Sequence, residues 1–159
     1  MDSLRRNVAW RAIPIAGLLA GTVFLIVNMT LTFLMFGVSP RLFLQYAASL
    51  VLGQNALTDT NLGVVVVGLV VHFAISLLLT FVISLVVHRW GLTVGIIGGA
   101  ILGVCFWAIN FYTMTLFVPW FFAINSVPII LSHLFFGAVA GGIYEQLDTF
   151  DLPVKVGAT

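Results

Sequence analysis

Residues 63–88 form 26 consecutive positions without Asp, Glu, Lys or Arg, and about 20 apolar residues suffice to cross a hydrocarbon core ~30 Å thick. A chain with such a run is confined to the membrane. Near its middle sits His72, and Gly68, His72, Ser76, Thr80, Ser84 and His88 recur at a spacing of four. Neighbouring members of such a row stack along one helix surface. Four residues overshoot a 3.6-residue turn by about 40°, so the row winds around the helix and must touch at least two neighbours.

Composition sharpens the class. The 159 residues are 62% hydrophobic and 7% charged, far from globular averages, and a soluble core of this size would lack polar surface to cover it. The length fits one domain, 1–159. A net charge of +1, with the few charges at segment ends, gives no basic field for nucleic acid. Cys105 is the single cysteine, which excludes an internal disulfide, a CxxC redox pair and a thiolate metal cluster. The apolar run from 12 to 40 is too long for a signal-peptide core, so it is expected to stay in the mature chain as a span.

Taken in order, the chain reads as an all-α integral membrane fold with spans at about 12–37, 62–88, 92–118 and 127–147 and a short interfacial helix at about 40–53. Arg5, Arg6, Trp10 and Arg11 precede the first span, which carries Gly17, Gly21 and Asn28. Ser39 and Pro40 read as an N-cap followed by Pro at the first helical position; the run behind them is too short to cross. The turn at 88–91 is so brief that the second and third spans are expected to be antiparallel neighbours. Gly95, Gly98, Gly99 and Gly103 mark the third span, and His133, Gly137 and Gly141 the fourth. Glycines at this spacing most simply permit close helix approach. Glu145 opens an acidic cluster, and Asp148 and Asp151 belong to a short tail where Pro153 discourages helix.

Five cationic residues flank the spans on one side (Arg5, Arg6, Arg11, Arg89, Lys155) and one, Arg41, on the other. Lys and Arg excess marks the cytoplasmic face, which places both termini there in a multi-pass protein. A shift of 82 positions lays Gly17, Gly21, Phe24 and Asn28 on Gly99, Gly103, Phe106 and Asn110. A shift of 61 lays His72, Ser76 and Thr80 on His133, Gly137 and Gly141. The expected architecture is therefore two tandem helical hairpins, an internal repeat with the interfacial helix inserted into the first copy.

The repeat puts one amide or imidazole from each span, Asn28, His72, Asn110 and His133, roughly 10–15 Å below the outer surface. Tyr112 and Thr30 lie close enough in depth to join. Polar groups left unpaired there would cost several kcal/mol, so the layer should face inward and bond internally or to a ligand. As structural glue it needs no cofactor. As a ligand site, His72 and His133 would serve as axial ligands to a b-type haem, or one imidazole would bond a quinone lying against Trp107 or Phe106. No carboxylate is at hand to orient Ser76 or Ser132 beside the histidines, so no catalytic residue is assigned and no enzyme is expected.

The basic start, the Gly-rich first span, the Phe-x-Pro-Trp-Phe segment at 117–121 and the closing Ser-His-Leu-Phe-Phe-Gly at 132–137 together resemble uncharacterised small four-span proteins of the bacterial inner membrane. That resemblance implies the membrane and the helix count, and no activity. The function expected is a structural or accessory subunit that packs in the lipid bilayer against a larger membrane complex or a second copy. Haem b or quinone binding is the alternative, and a small-solute channel along the row from Ser76 to His88 a further one.

Overall fold

The structure, a computed structural model, describes residues 9–150, with side chains through residue 148. Among the described residues five α-helices follow one another: α1 (Ala12–Phe36), α2 (Pro40–Leu52), α3 (Leu62–Val87), α4 (Leu92–Tyr112) and α5 (Val127–Phe150). Single 3₁₀ turns fill Gln54–Leu57, Met114–Leu116 and Pro119–Ile124. Four of the helices are long and apolar enough to cross a membrane, and the interfacial α2 lies between the first two of them.

Local chemistry sets the ends. Ser39 accepts the Arg41 N–H at 3.4 Å ahead of α2, with Pro40 in the first turn where its missing donor has no intrahelical role. Asn61 accepts the Gly63 N–H at 2.8 Å and caps α3. Gly37 closes α1 in the left-handed region at φ 65°, as a glycine after a helix commonly does. Two further bonds tie α2 to the start of α3: Arg41 Nη2 donates to the Asn61 carbonyl at 3.2 Å, and Gln45 Nε2 to the Asp59 carbonyl at 2.8 Å.

The central element is α5. Of its apolar window 56% is buried inside the protein, against 17–22% for the other three spans, because α4, α1 and α3 all pack on it. Its row of small residues allows this. A Cβ on Gly99 would meet the Gly137 carbonyl oxygen and one on Gly137 would meet that of Gly99, while Gly95 and Gly103 sit likewise on the carbonyls of Gly141 and His133. Here backbone lies on backbone, the close approach that small residues permit between helices in lipid. The contact of α1 with α3 is looser: a Cβ on Gly21 would lie 2.8 Å from Ser76 Oγ, and one on Gly17 2.9 Å from Leu77 Cδ2.

Two expectations need correction. The short turn at 88–91 does reverse the chain, yet α3 and α4 touch only slightly, because the glycine face of α4 is taken by α5 and the polar row of α3 by α1 and α2. The tail expected from Asp148 begins later: α5 runs to Phe150 and takes in Asp148, and Glu145, within the expected span, is only 2% exposed. Arg5, Arg6, Asp151, Pro153 and Lys155 fall outside the described residues.

Candidate functional site

The winding row of α3 meets three partners, as its spacing requires. Gly68 lies against the Leu44 carbonyl of α2, Ser76 and Thr80 against Gly21 and Gly17 of α1, and His88 against Tyr144 of α5. From Gly68 to Ser84 every member is buried.

In the half of the bundle away from the 88–91 turn this geometry makes a small aromatic chamber of about 70 Å³, into which His72, Asn110 and His133 project among Phe24, Phe43 and Phe111. The Phe24 ring packs against both imidazoles, its centroid 5.3 Å from that of His72 and 4.9 Å from that of His133. His72 Nε2 donates to the Gly21 carbonyl at 3.0 Å, which fixes the proton on that nitrogen. His133 takes the opposite tautomer. Its Nδ1 lies 2.9 Å from the Ile129 carbonyl, which can only accept, so Nδ1 carries the proton and Nε2 accepts from Asn110 Nδ2 at 3.2 Å. Both rings are then neutral, the state that costs least in a low-dielectric interior.

Of the six residues expected in or near the layer, these three come together. Asn28 is buried to 2% exposure, but it bonds neither histidine, and its Nδ2 has no hydrogen-bond partner. It lines a separate and larger cleft nearer the surface, which shares only Phe43, Ile124 and Ile129 with the chamber. Tyr112 is not part of the layer. It is 59% exposed and packs edge-on against Trp107 and Phe122 at the end of α4, and Thr30 also faces outward. Depth along a helix was the same for all of these; rotation about the axis separated them.

The arrangement restricts the chemistry. A haem does not fit: the chamber has room for a handful of waters, Phe24 packs against both histidine rings, and His133 has both ring nitrogens engaged. Nor does the row at 76–88 line a lumen, since Gly17 and Gly21 press α1 onto it and Ser76 and Ser84 donate to the carbonyls of His72 and Thr80. Ser132 likewise donates to the Pro128 carbonyl at 2.6 Å and is not presented to a substrate. Among the described residues no group of three or more His, Cys, Asp or Glu side chains is placed to hold a metal ion.

Sequence reasoning missed a second polar cluster at the opposite end of the bundle, beside Arg89. His88 Nδ1 lies 2.9 Å from the Tyr144 hydroxyl and 3.4 Å from Asp148 Oδ2, its tautomer deciding which it serves. Glu145 Oε2 accepts the N–H of Gly91, the residue that caps α4, at 2.9 Å, so a carboxylate sits at the positive end of that helix. Glu145 Oε1 and His88 Nε2 are buried without partners. The signal was present: Glu145 continues the row His133, Gly137, Gly141 by one more step of four.

No family model, curated protein or solved structure matches this chain.

Proposed function

We propose that the chain is a non-catalytic accessory or structural subunit of a cell membrane, the bacterial inner membrane on the sequence resemblance, which packs through α4 against a membrane partner or a second copy of itself. The observation that carries this reading is the lopsided packing of α4. It lies along α5 by its glycine face, and only 17% of its apolar window is covered, the least of the four spans. Its outer face presents Ile97, Ile101, Cys105 and Ile109 in one row at a spacing of four. The polar chamber, in contrast, spends its hydrogen bonds on the protein's own groups, which suits glue better than chemistry.

Two finer points belong to the same proposal. Both termini are cytoplasmic: Arg11 and Arg89 flank spans at one end, Arg41 at the other, and Lys/Arg excess marks the inner face. The bundle is two tandem hairpins related by duplication. What supports this is the correspondence of contacts: Gly17 on Thr80 and Gly21 on Ser76 in α1 and α3 match Gly99 on Gly141 and Gly103 on Gly137 in α4 and α5.

The single cysteine supplies the test. Oxidative cross-linking through Cys105 in native membranes should give one discrete product, of twice the protein's mass for a homodimer or of another fixed mass for a partner. Ile101→Ser, which changes the outer face and no internal contact, should reduce its yield. Absence of any discrete product while Cys105 still reacts with a lipid-soluble maleimide would contradict the reading.

A further inference from the structure

Beyond assembly, we propose that His88 is a proton-operated latch: neutral, its Nδ1 takes the hydroxyl hydrogen of Tyr144, and protonated, it releases Tyr144 and pairs with Asp148. The latch sits where the turn after α3, the last turns of α5 and the segment before α1 meet, at the opposite end of the bundle from the histidine chamber.

Tyr144 fixes the neutral state. It is fully buried, so its hydroxyl hydrogen needs an acceptor within the protein. The Ala9 backbone N–H bonds the hydroxyl oxygen and can only donate. His88 Nδ1, at 2.9 Å, is the other group bonded to that hydroxyl, so it receives the hydrogen and is itself bare. A neutral imidazole with a bare Nδ1 carries its hydrogen on Nε2, which has no partner here. A second proton therefore has one place to enter. At Nδ1 it displaces the Tyr144 hydrogen, and Asp148 Oδ2, 3.4 Å away, is the charged acceptor within reach. The two partners exclude each other, because Nδ1 either accepts with its lone pair or donates a hydrogen.

The surroundings let this exchange happen. The side chains of His88 and Asp148 keep 16% and 14% exposure, enough contact with water for a proton to arrive. On α5 the carboxylates of Asp148 and Glu145 favour the cation, Glu145 being held to the Gly91 N–H. Arg89 in the turn and Arg11 before α1 oppose it, but both are exposed and screened by solvent. The first three turns of α4 contribute no titratable side chain. Tyr144 and Asp148 are four residues apart, about 6 Å along α5, so a change of partner draws the ring toward the helix end. The turn can follow it: α3 and α4 touch only slightly, and Arg89 stands at φ 64°, a backbone conformation that non-glycine residues seldom adopt. Imidazole changes charge between about pH 5 and 8, so the latch responds to modest acidification at that face.

The test uses full-length protein labelled at histidine and tyrosine, in bilayers, followed by ¹⁵N and ¹³C NMR from about pH 8 to about pH 5. His88, assigned by its loss in His88→Gln, should be neutral at the upper end with its hydrogen on Nε2. On acidification it should become an imidazolium, with the Tyr144 Cζ resonance moving in step. At about pH 6, Asp148→Asn should lower the ratio of cationic to neutral ring about two- to fivefold, because the cation loses its partner. Tyr144→Phe should raise that ratio by about the same factor, because the neutral form loses its own. Hydrogen on Nδ1 at the upper end, a ratio that moves the same way in both variants, or one indifferent to both would overturn the latch. A Tyr144 resonance unchanged across the His88 titration does so in wild-type protein alone, whether or not either variant folds.

Discussion

The α4–α5 and α1–α3 contacts carry the same sequence motif and differ in what it touches. In α4–α5 the glycines of each helix rest on the carbonyls of the other, and backbone cannot step aside. In α1–α3 the glycines rest on the side chains of Leu77, Ser76 and Phe73, which can turn or shift. A glycine at a spacing of four permits close approach in both cases, but its energetic weight is set by the partner.

This difference can be broken or sharpened by adding a single methyl group at successive glycines and measuring unfolding in detergent. Gly99→Ala and Gly137→Ala should be the most damaging, each costing about 3 kcal/mol or more, because the new Cβ meets a fixed carbonyl oxygen. Gly21→Ala should cost about 1–2 kcal/mol, since the Ser76 hydroxyl must move, and a Ser76→Ala background should return part of that loss. Gly17→Ala should cost below about 1 kcal/mol, because its nearest obstacle is the far end of Leu77. Gly98→Ala should be neutral or stabilising by about 0.5–1 kcal/mol: its Cβ would lie 3.5 Å from Val87 Cγ1, an ordinary contact, and alanine is the better helix former. Equal losses at Gly99 and Gly17 would erase the distinction.

The series also shows where sequence was informative. The charge-free runs, the Ser39–Pro40 start of α2 and the winding of the α3 row were legible because each depends on residues close in the chain. The partner of each helix was not. Composition and spacing mark Gly95, Gly99 and Gly103 as a contact face without saying whether α3 or α5 lies on it, and the short turn at 88–91 points toward α3. Packing favoured α5, whose own glycines are in register. For the candidate site, depth and chemistry singled out His72, Asn110 and His133, which the structure brings to one chamber. Tyr112 lies apart from them because depth says nothing of rotation about the helix axis. Glu145 lay within the expected fourth span but was given no role there, although its place in the His133 row pointed inward. The outer cleft arises where three separate segments meet, and no one of them announces it.

The two polar regions complete the comparison. The histidine chamber distributes its donors and acceptors among its own members and the backbone, whereas the cluster of His88, Tyr144 and Glu145 keeps two buried atoms unpaired. The first is expected to be rigid and the second to tolerate substitution by a neutral isostere. Glu145→Gln should leave stability within about 1 kcal/mol of wild type by thermal unfolding, since the amide oxygen can keep the Gly91 N–H bond at lower desolvation cost. Glu145→Ala removes that bond and opens space beside Gly95, and should cost about 2 kcal/mol or more.

The account rests on imidazoles turned inward and engaged by the fold, and ¹⁵N NMR of histidine-labelled protein in bilayers tests this most directly. His133, assigned by its loss in His133→Gln, should be neutral with its proton on Nδ1, and Asn110→Leu should shift its Nε2 resonance far more than its Nδ1. A cationic ring, a proton on Nε2, or a spectrum indifferent to Asn110 would contradict the packing described.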